Sequence, residues 1–266
     1  MQRWKLLPLA LLLVPATTET GRGDERSDLQ RIAQQHQHDA PTPTPAATTA
    51  PAQEVTGEEV SYGEINGKPL KGFLARPKNA AGPLPGLIVI HEWWGLNDNV
   101  RAMTRRLAAE GYAALAVDLY GGKVADDVGS ASQLVLATEE AEALPNLSRA
   151  YDFLKTAQKA PKVGVLGWCF GGGWSLQAAI DLGKKLDAVV IYYGRLDPDR
   201  EHLGKIGAPV LGLFGGKDQG IPVESVRKFE TALKELGKGV EIHIYDAAGH
   251  AFANPSGGSY DAEAAK

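Results

Sequence analysis

Short, unbroken apolar runs separated by stretches of helical periodicity constrain this chain more than any other feature. Gly86 to His91 reads GLIVIH, and similar runs follow at Ala113 to Asp118, Val163 to Gly167, Ala188 to Tyr193, Val210 to Phe214 and Val240 to Tyr245. A strand with one wetted face alternates, whereas a continuous run suits a strand covered on both faces, as in a parallel sheet. Between the runs, Val100, Met103 and Leu107 share a helical face, with Asn97 or Asp98 as N-cap and Gly111 beyond the end. Val226, Phe229, Leu233 and Leu236 form a second stripe between Pro222 and Gly237. Leu147, Tyr151 and Leu154 predict a helix after Pro145, and Trp174 to Leu182, closed by Gly183, predicts another. This alternation predicts an α/β fold with a doubly wound, mostly parallel sheet. Ahead of it, Glu58 to Arg76 reads as an antiparallel hairpin turning at Asn66-Gly67, because both residues tolerate positive φ.

The folded domain is expected to span residues 54–266. The whole chain of 266 residues gives ample length for a large core. Its net charge of −4 offers no basic face for nucleic acid and argues against adsorption to an anionic membrane. A single cysteine, Cys169, excludes an internal disulfide and a zinc site built from several cysteines. At the N-terminus, Arg3 and Lys5 precede the apolar stretch Leu6 to Val14, and Val14-Pro15-Ala16 offers a small residue for cleavage. Residues 1–16 therefore read as a secretory signal, too short for a spanning helix, which needs about 20 apolar residues. An exported protein, periplasmic or secreted, with no membrane anchor after signal removal is expected. Between residues 17 and 53, Leu29 and Ile32 are the only large apolar residues, and Pro41, Pro43, Pro45 and Pro51 alternate with Thr and Ala. Such a stretch reads as a disordered linker. His36 and His38 within it could bind a metal ion weakly, but a solvated tail is the plainer reading.

In a doubly wound sheet, ligands bind beyond the carboxyl ends of the strands. The run at Val163 flows into Gly167-Trp168-Cys169-Phe170-Gly171, the nucleophile-elbow pattern with cysteine in place of serine. A nucleophile on a tight strand-to-helix turn leaves no room for neighbouring side chains, hence the glycines. The following helix N-terminus favours the thiolate. The backbone N–H of Phe170 is a candidate oxyanion donor. Two further runs end at Asp218 and shortly before His250, so that Cys169, Asp218 and His250 follow the nucleophile–acid–base order of α/β-hydrolases. In that scheme His250 takes the thiol proton and Asp218 orients the imidazole. His202 in a polar loop and His243 on a solvent-facing strand position do not compete for this role. The first parallel run ends in His91-Glu92-Trp93-Trp94-Gly95. There the N–H of Trp93 is the candidate second oxyanion donor, and Glu92 an acid beside the nucleophile. No zinc-protease pattern is present, since no histidine follows three positions after Glu92.

Together with Asp118-Leu119-Tyr120, Gly216-Lys217-Asp218 and Gly249-His250-Ala251-Phe252, these segments resemble the dienelactone hydrolase family over roughly the whole folded domain. The resemblance implies an α/β-hydrolase fold, a Cys–Asp–His triad, and neither metal nor organic cofactor. It also implies that Glu92 holds the resting thiol neutral until substrate binds. Trp93, Trp168, Phe252 and Asn254 are the expected substrate-binding residues. Two departures bear on specificity. The family's namesake enzymes hold a lactone carboxylate with two arginines, and the matching positions here are Gly122, followed by Lys123, and Asn254. Loss of both clamps implies a small ester or lactone other than dienelactone. Members also continue into a C-terminal helix, whereas Asp261 to Lys266 reads only as a helix start, so that helix is expected to be lacking. The leading reading is thus a cysteine-dependent carboxylic-ester hydrolase. The alternative is a non-catalytic hydrolase-fold protein that binds a small ligand. A thiol redox role is disfavoured by the absence of a resolving cysteine.

Overall fold

The apolar runs form the centre of an eight-stranded sheet ordered β1-β2-β4-β3-β5-β6-β7-β8. The computed structural model describes Gln30, Arg31, Ala33, Gln34, His36, Thr44 and residues 49–266. The signal-like segment 1–16 and His38 lie outside the described residues. The strands are β1 (Val55–Ile65), β2 (Lys68–Pro77), β3 (Gly86–Ile90), β4 (Ala113–Val117), β5 (Val163–Trp168), β6 (Ala188–Tyr192), β7 (Val210–Gly215) and β8 (Val240–Tyr245). The helices are α1 (Asp98–Ala109), α2 (Val128–Ala137), α3 (Glu140–Thr156), α4 (Phe170–Leu182), α5 (Arg200–Gly204) and α6 (Val223–Glu235).

β1 and β2 form the expected hairpin, turning at Asn66 (φ 51°) and Gly67 (φ 74°). β2 joins β4 antiparallel, and from β4 to β8 all pairings are parallel. Every residue of β3, β4 and β5 is buried, which is why their sequences run apolar without alternation. β3 pairs with β4 on one side and β5 on the other, Ile88 facing Leu115 and Val165. The chain leaves β3 toward β4 but leaves β5 toward β6, so the β3/β5 boundary is where the winding reverses. In such sheets the crevice for ligands opens there.

Helix boundaries show where local signals yield to packing. α1 starts with the expected cap, Asn97 Oδ1 accepting from Val100 N at 3.1 Å. α3 begins at Glu140, ahead of Pro145 rather than after it. Pro145 removes the donor for the Ala141 carbonyl, but both residues are exposed, so water can satisfy that group. α4 begins at Phe170, earlier than the Trp174 expected from apolar spacing, because its first turn is built from glycines. α2 and the short α5 were not foreseen; Asp127 and Ser130 cap α2 reciprocally, and Asp199 caps α5, which carries His202. At the C-terminus, Asp261 accepts from Glu263 N and Ala264 N at 3.0 and 3.1 Å, closing a single turn. Described residues of the 17–53 stretch meet the folded domain. Ala33 packs beside Trp93 and Trp94, His36 is buried, and Thr44 bonds to the Pro255-Ser256 loop.

One buried polar link ties the hairpin to the functional end of the sheet. Tyr62, at the register irregularity between Ser61 and Gly63, donates to Asn146 Oδ1 at 2.6 Å. Asn146 Nδ2 donates in turn to the Asp118 carbonyl, just past β4, at 3.0 Å. Tyr62→Phe should leave the Asn146 acceptor unpaired and cost about 1–3 kcal/mol. Urea unfolding checks this, with an unchanged midpoint refuting it.

Candidate active site

The turn after β5 is shaped by clashes that only glycine avoids. A Cβ on Gly167 would lie 2.2 Å from the Gly171 carbonyl oxygen, and one on Gly171 would lie 2.3 Å from that of Ile90. One on Gly172 would lie 2.5 Å from the Tyr192 carbonyl oxygen. These approaches press the start of α4 against the ends of β3 and β6. Cys169 is left at φ 53°, ψ −115°, a conformation that costs a non-glycine residue about 1–3 kcal/mol. Its N–H donates to the Tyr192 carbonyl at 3.0 Å, and its carbonyl accepts from Gly173 at 3.1 Å. The side chain therefore projects from a turn fixed at both ends.

Loops after β7 and β8 bring the partners. His250 Nδ1 lies 2.7 Å from Asp218 Oδ2, and His250 Nε2 lies 3.2 Å from Cys169 Sγ. Asp218 Oδ1 accepts from Gly220 N and Ile221 N at 2.8 and 3.0 Å, which fixes the carboxylate. All three residues are buried. Burial alone pushes the Cys169 thiol up, but the charge and hydrogen bond of His250, with a further contribution from His36, bring it down to about 6. Burial likewise disfavours the His250 cation, yet Cys169 and Asp218 raise its pKa well above the ordinary value. Burial also opposes the Asp218 charge, and His250 with the two backbone donors outweighs it, leaving its pKa lowered. All three shifts run in the direction that favours a thiolate–imidazolium pair oriented by a carboxylate.

The β3 end supplies the facing wall. His91 is fully buried; Leu119 N donates to its Nε2 at 3.2 Å, so its Nδ1 carries the proton and donates to the Glu92 carbonyl at 2.6 Å. Burial lowers its pKa, and it stacks on Phe170 at 5.6 Å. It is a neutral tie between the ends of β3 and β4 and the elbow. Glu92 accepts from Asn254 Nδ2 at 2.7 Å and from Tyr193 Oη at 3.4 Å. Asn254, where the family carries an arginine, is thus buried and engaged with Glu92 and with Ser256 N. At the other arginine position, Gly122 N bonds to Asp118 Oδ2, and Lys123 is exposed. Phe170 N–H is the first amide of α4, a position without an intrahelical acceptor, as an oxyanion donor requires. Trp93 lies in the turn after β3, its ring buried and its Nε1 without an acceptor among the described residues. Trp168 and Phe252 share an apolar cluster with Cys169. Phe252 packs on Tyr192, Tyr193 and Tyr245, and Trp168 on Tyr192, so both serve the wall behind the thiol.

Sequence reasoning set His36 aside as part of a solvated tail and missed Tyr193. The ring of His36 lies 4.7 Å from that of Trp93 and 5.3 Å from that of His250. Tyr193, at φ 36°, directly follows β6 and packs against His250 at 5.3 Å. Its position past a strand end was the available signal; His36 had none, because its segment is polar. Donor atoms of His36, Cys169 and His250 lie within 4.8 Å of one another, close enough to share a soft cation. A metal there would displace the proton held between Cys169 and His250, and so would block a thiol nucleophile rather than assist it.

The profile of the dienelactone hydrolase family matches residues 70–266. The chain belongs to the dienelactone hydrolase family. Among curated relatives of this family, a Saccharolobus solfataricus protein named "Putative carboxymethylenebutenolidase" is 32% identical over 249 residues, covering 79% of this chain and 93% of its own length. An Escherichia coli K12 protein of the same name is 33% identical over 246 residues, with 85% and 90% covered. Among solved structures, a Klebsiella pneumoniae protein described as "Putative Dienelactone Hydrolase" superposes with a TM-score of 0.73 at 32% identity, covering 80% of this chain and 94% of that one. The dienelactone hydrolase-like promiscuous phosphotriesterase P91, from metagenomic libraries, gives 0.72 at 29%, with 79% and 92% covered.

The charged dyad predicts a particular pH dependence. Alkylation of Cys169 by iodoacetamide should be half-maximal near pH 6. Below that the thiol is protonated and the rate falls. Above it a plateau holds until His250 loses its proton. His250→Gln removes the strongest influence favouring the thiolate while burial remains, and should move the midpoint upward to or beyond about 8.5, the value of a free thiol. A wild-type midpoint already at that value would refute the ion pair.

Proposed function

We propose that this dienelactone hydrolase family member cleaves a small carboxylic ester or lactone through a Cys–Asp–His triad and a thioester intermediate. The observation that carries this reading is the continuous Asp218–His250–Cys169 relay at 2.7 and 3.2 Å on a strained elbow. The Cys169 thiolate attacks the acyl carbon, forming the C–S bond as the carbonyl electron pair moves onto oxygen. The amides of Phe170 and Trp93 stabilise that oxyanion. Its collapse breaks the C–O bond, and the His250 imidazolium gives its proton to the departing alkoxide. A water molecule, deprotonated by His250, then attacks the thioester and returns the thiolate. Asp218 holds the imidazole in the required tautomer throughout.

The substrate differs from the carboxylated lactone of the namesake enzymes. Gly122 and Asn254 supply no positive charge where the family's arginines stand, and Asn254 is engaged with Glu92. A neutral acyl group suits this site better. The buried indole N–H of Trp93 would meet an oxygen of such a substrate, because an unpaired buried donor gains from any acceptor. The gating role expected for Glu92 is not carried into the proposal, which starts from a thiol already ionised by His250; Asn254 and Tyr193 hold the Glu92 carboxylate in place at the end of β3. The signal-like residues 1–16 support an exported site of action.

The test is steady-state hydrolysis of p-nitrophenyl acetate by wild type, Cys169→Ala and Asp218→Asn. Sustained turnover is expected in wild type and none in Cys169→Ala. Asp218→Asn should lose roughly 10²–10⁴-fold in kcat while keeping its fold. A single burst without turnover, from folded wild type, would overturn the enzymatic reading and favour a ligand-binding protein.

A further inference from the structure

We propose that His36, carried on the N-terminal segment, is a working member of the active site whose ring N–H donates to the Cys169 thiolate. This deepens the proposed function, since it rests on Cys169 being the nucleophile.

Several independent contacts place His36 there. It is 1% exposed, although its neighbours in sequence are polar. Its ring packs on Trp93 at 4.7 Å, meets the edge of Trp94 at 6.5 Å, and stands edge-on to His250 at 5.3 Å. One of its nitrogens lies within 4.8 Å of both the thiol sulfur and a His250 nitrogen. Described residues on either side of His36 in the sequence also meet the folded domain. Upstream, Ala33 joins the cluster of Trp93, Trp94, Ala125 and Ala131. Downstream, Thr44 N donates to Ser256 Oγ at 3.2 Å, and Thr44 Oγ1 donates to the Pro255 carbonyl at 2.5 Å. Ser256 N donates to Asn254 Oδ1, and Asn254 holds Glu92, so the strap is linked to the far wall of the site.

The chemistry follows from burial. A thiolate away from water keeps its charge only where donors surround it. His250 Nε2 provides one and carries the thiol's proton. His36 provides a second without taking that proton, so no net transfer is required. Both imidazoles contribute to bringing the thiol pKa down, the larger share coming from His250. The other titratable groups around the thiol are fixed in role. Tyr120 and Tyr193 have raised pKa values through burial and stay neutral, Glu92 is held by Asn254 and Tyr193, and Asp218 acts through His250. The two imidazoles are therefore the groups that set how much thiolate exists at a given pH. When the thioester forms, the negative charge leaves sulfur and His36 loses its anionic partner. Its effect lies on the free enzyme and appears in kcat/KM at low pH.

The experiment is the pH profile of Cys169 alkylation by iodoacetamide, in full-length protein with a chelator present so that no cation bridges the site. His36→Ala should raise the midpoint by about one pH unit, which makes alkylation about tenfold slower below the wild-type midpoint. His36→Gln, which restores an N–H donor, should recover at least half of that shift. Thr44→Val loosens the strap without touching the thiol, and should shift the midpoint in the same direction by less. If p-nitrophenyl acetate is turned over, kcat/KM of His36→Ala should fall more at pH 6 than at pH 8. An unchanged midpoint in His36→Ala overturns the proposal, including the case where alkylation simply becomes faster at every pH because a cover was removed. A Gln variant indistinguishable from Ala also overturns it. Alkylation reads the thiol without any ester, so failure of ester turnover alone leaves this proposal standing.

Discussion

Everything in this molecule's site follows from how closely the backbone approaches itself around Cys169. The Gly167, Gly171 and Gly172 positions bring main chain within contact distance of main chain, and no side chain could be inserted there. The turn that results is strained, and the strain is held by β5, which leads into it, and its neighbour β3, whose residues are wholly buried. A rigid parallel sheet can sustain such a conformation where a loop on the surface would relax. The elbow also decides what can be a neighbour: the end of β3 lies beneath the first turn of α4, and the loops after β7 and β8 close over it.

Placing a thiolate at this point creates an electrostatic problem that the surrounding residues answer in sequence. Burial would keep the thiol neutral, so a cation must be near; the cation is itself buried, so a carboxylate must be near it; the carboxylate is held by two backbone amides. Each group is tolerated inside the protein only because the next one is present. His91, by contrast, is kept neutral by burial and by its two backbone partners, although it lies on the same strand-end rim. The same residue type thus shifts in opposite directions within one site, according to what each ring nitrogen meets.

Much of this was legible in the amino-acid order. The runs marked the strands to within a residue or so; two-sided burial leaves a continuous signature in β3, β4 and β5, whereas the edge strand β8 alternates, with Glu241 and His243 exposed. Cys169, Asp218 and His250 could be found because each follows its own strand. Other elements were hidden for physical reasons. Pro145 masked the first turn of α3, since exposure there removes the usual penalty. The glycines that start α4 carry no helical signal, being selected by clash rather than propensity. Asn254 looked like a substrate contact and is held by Glu92. His36 was unreadable, because its segment lacks apolar residues and gains its place only from a surface assembled far away in sequence.

That last feature concerns the order in which the molecule becomes competent. Thr44 and Ser256 are 212 positions apart, yet they bond to each other, and Ser256 bonds in turn to Asn254. Contacts between such distant segments form late, because a long loop must close before they give anything back. Cys169 can be buried by its sheet well before either end of the chain reaches it, but until then it lacks both imidazoles. The thiol therefore gains most of its activation when the loop carrying His250 closes over the elbow, and the remainder when His36 reaches it.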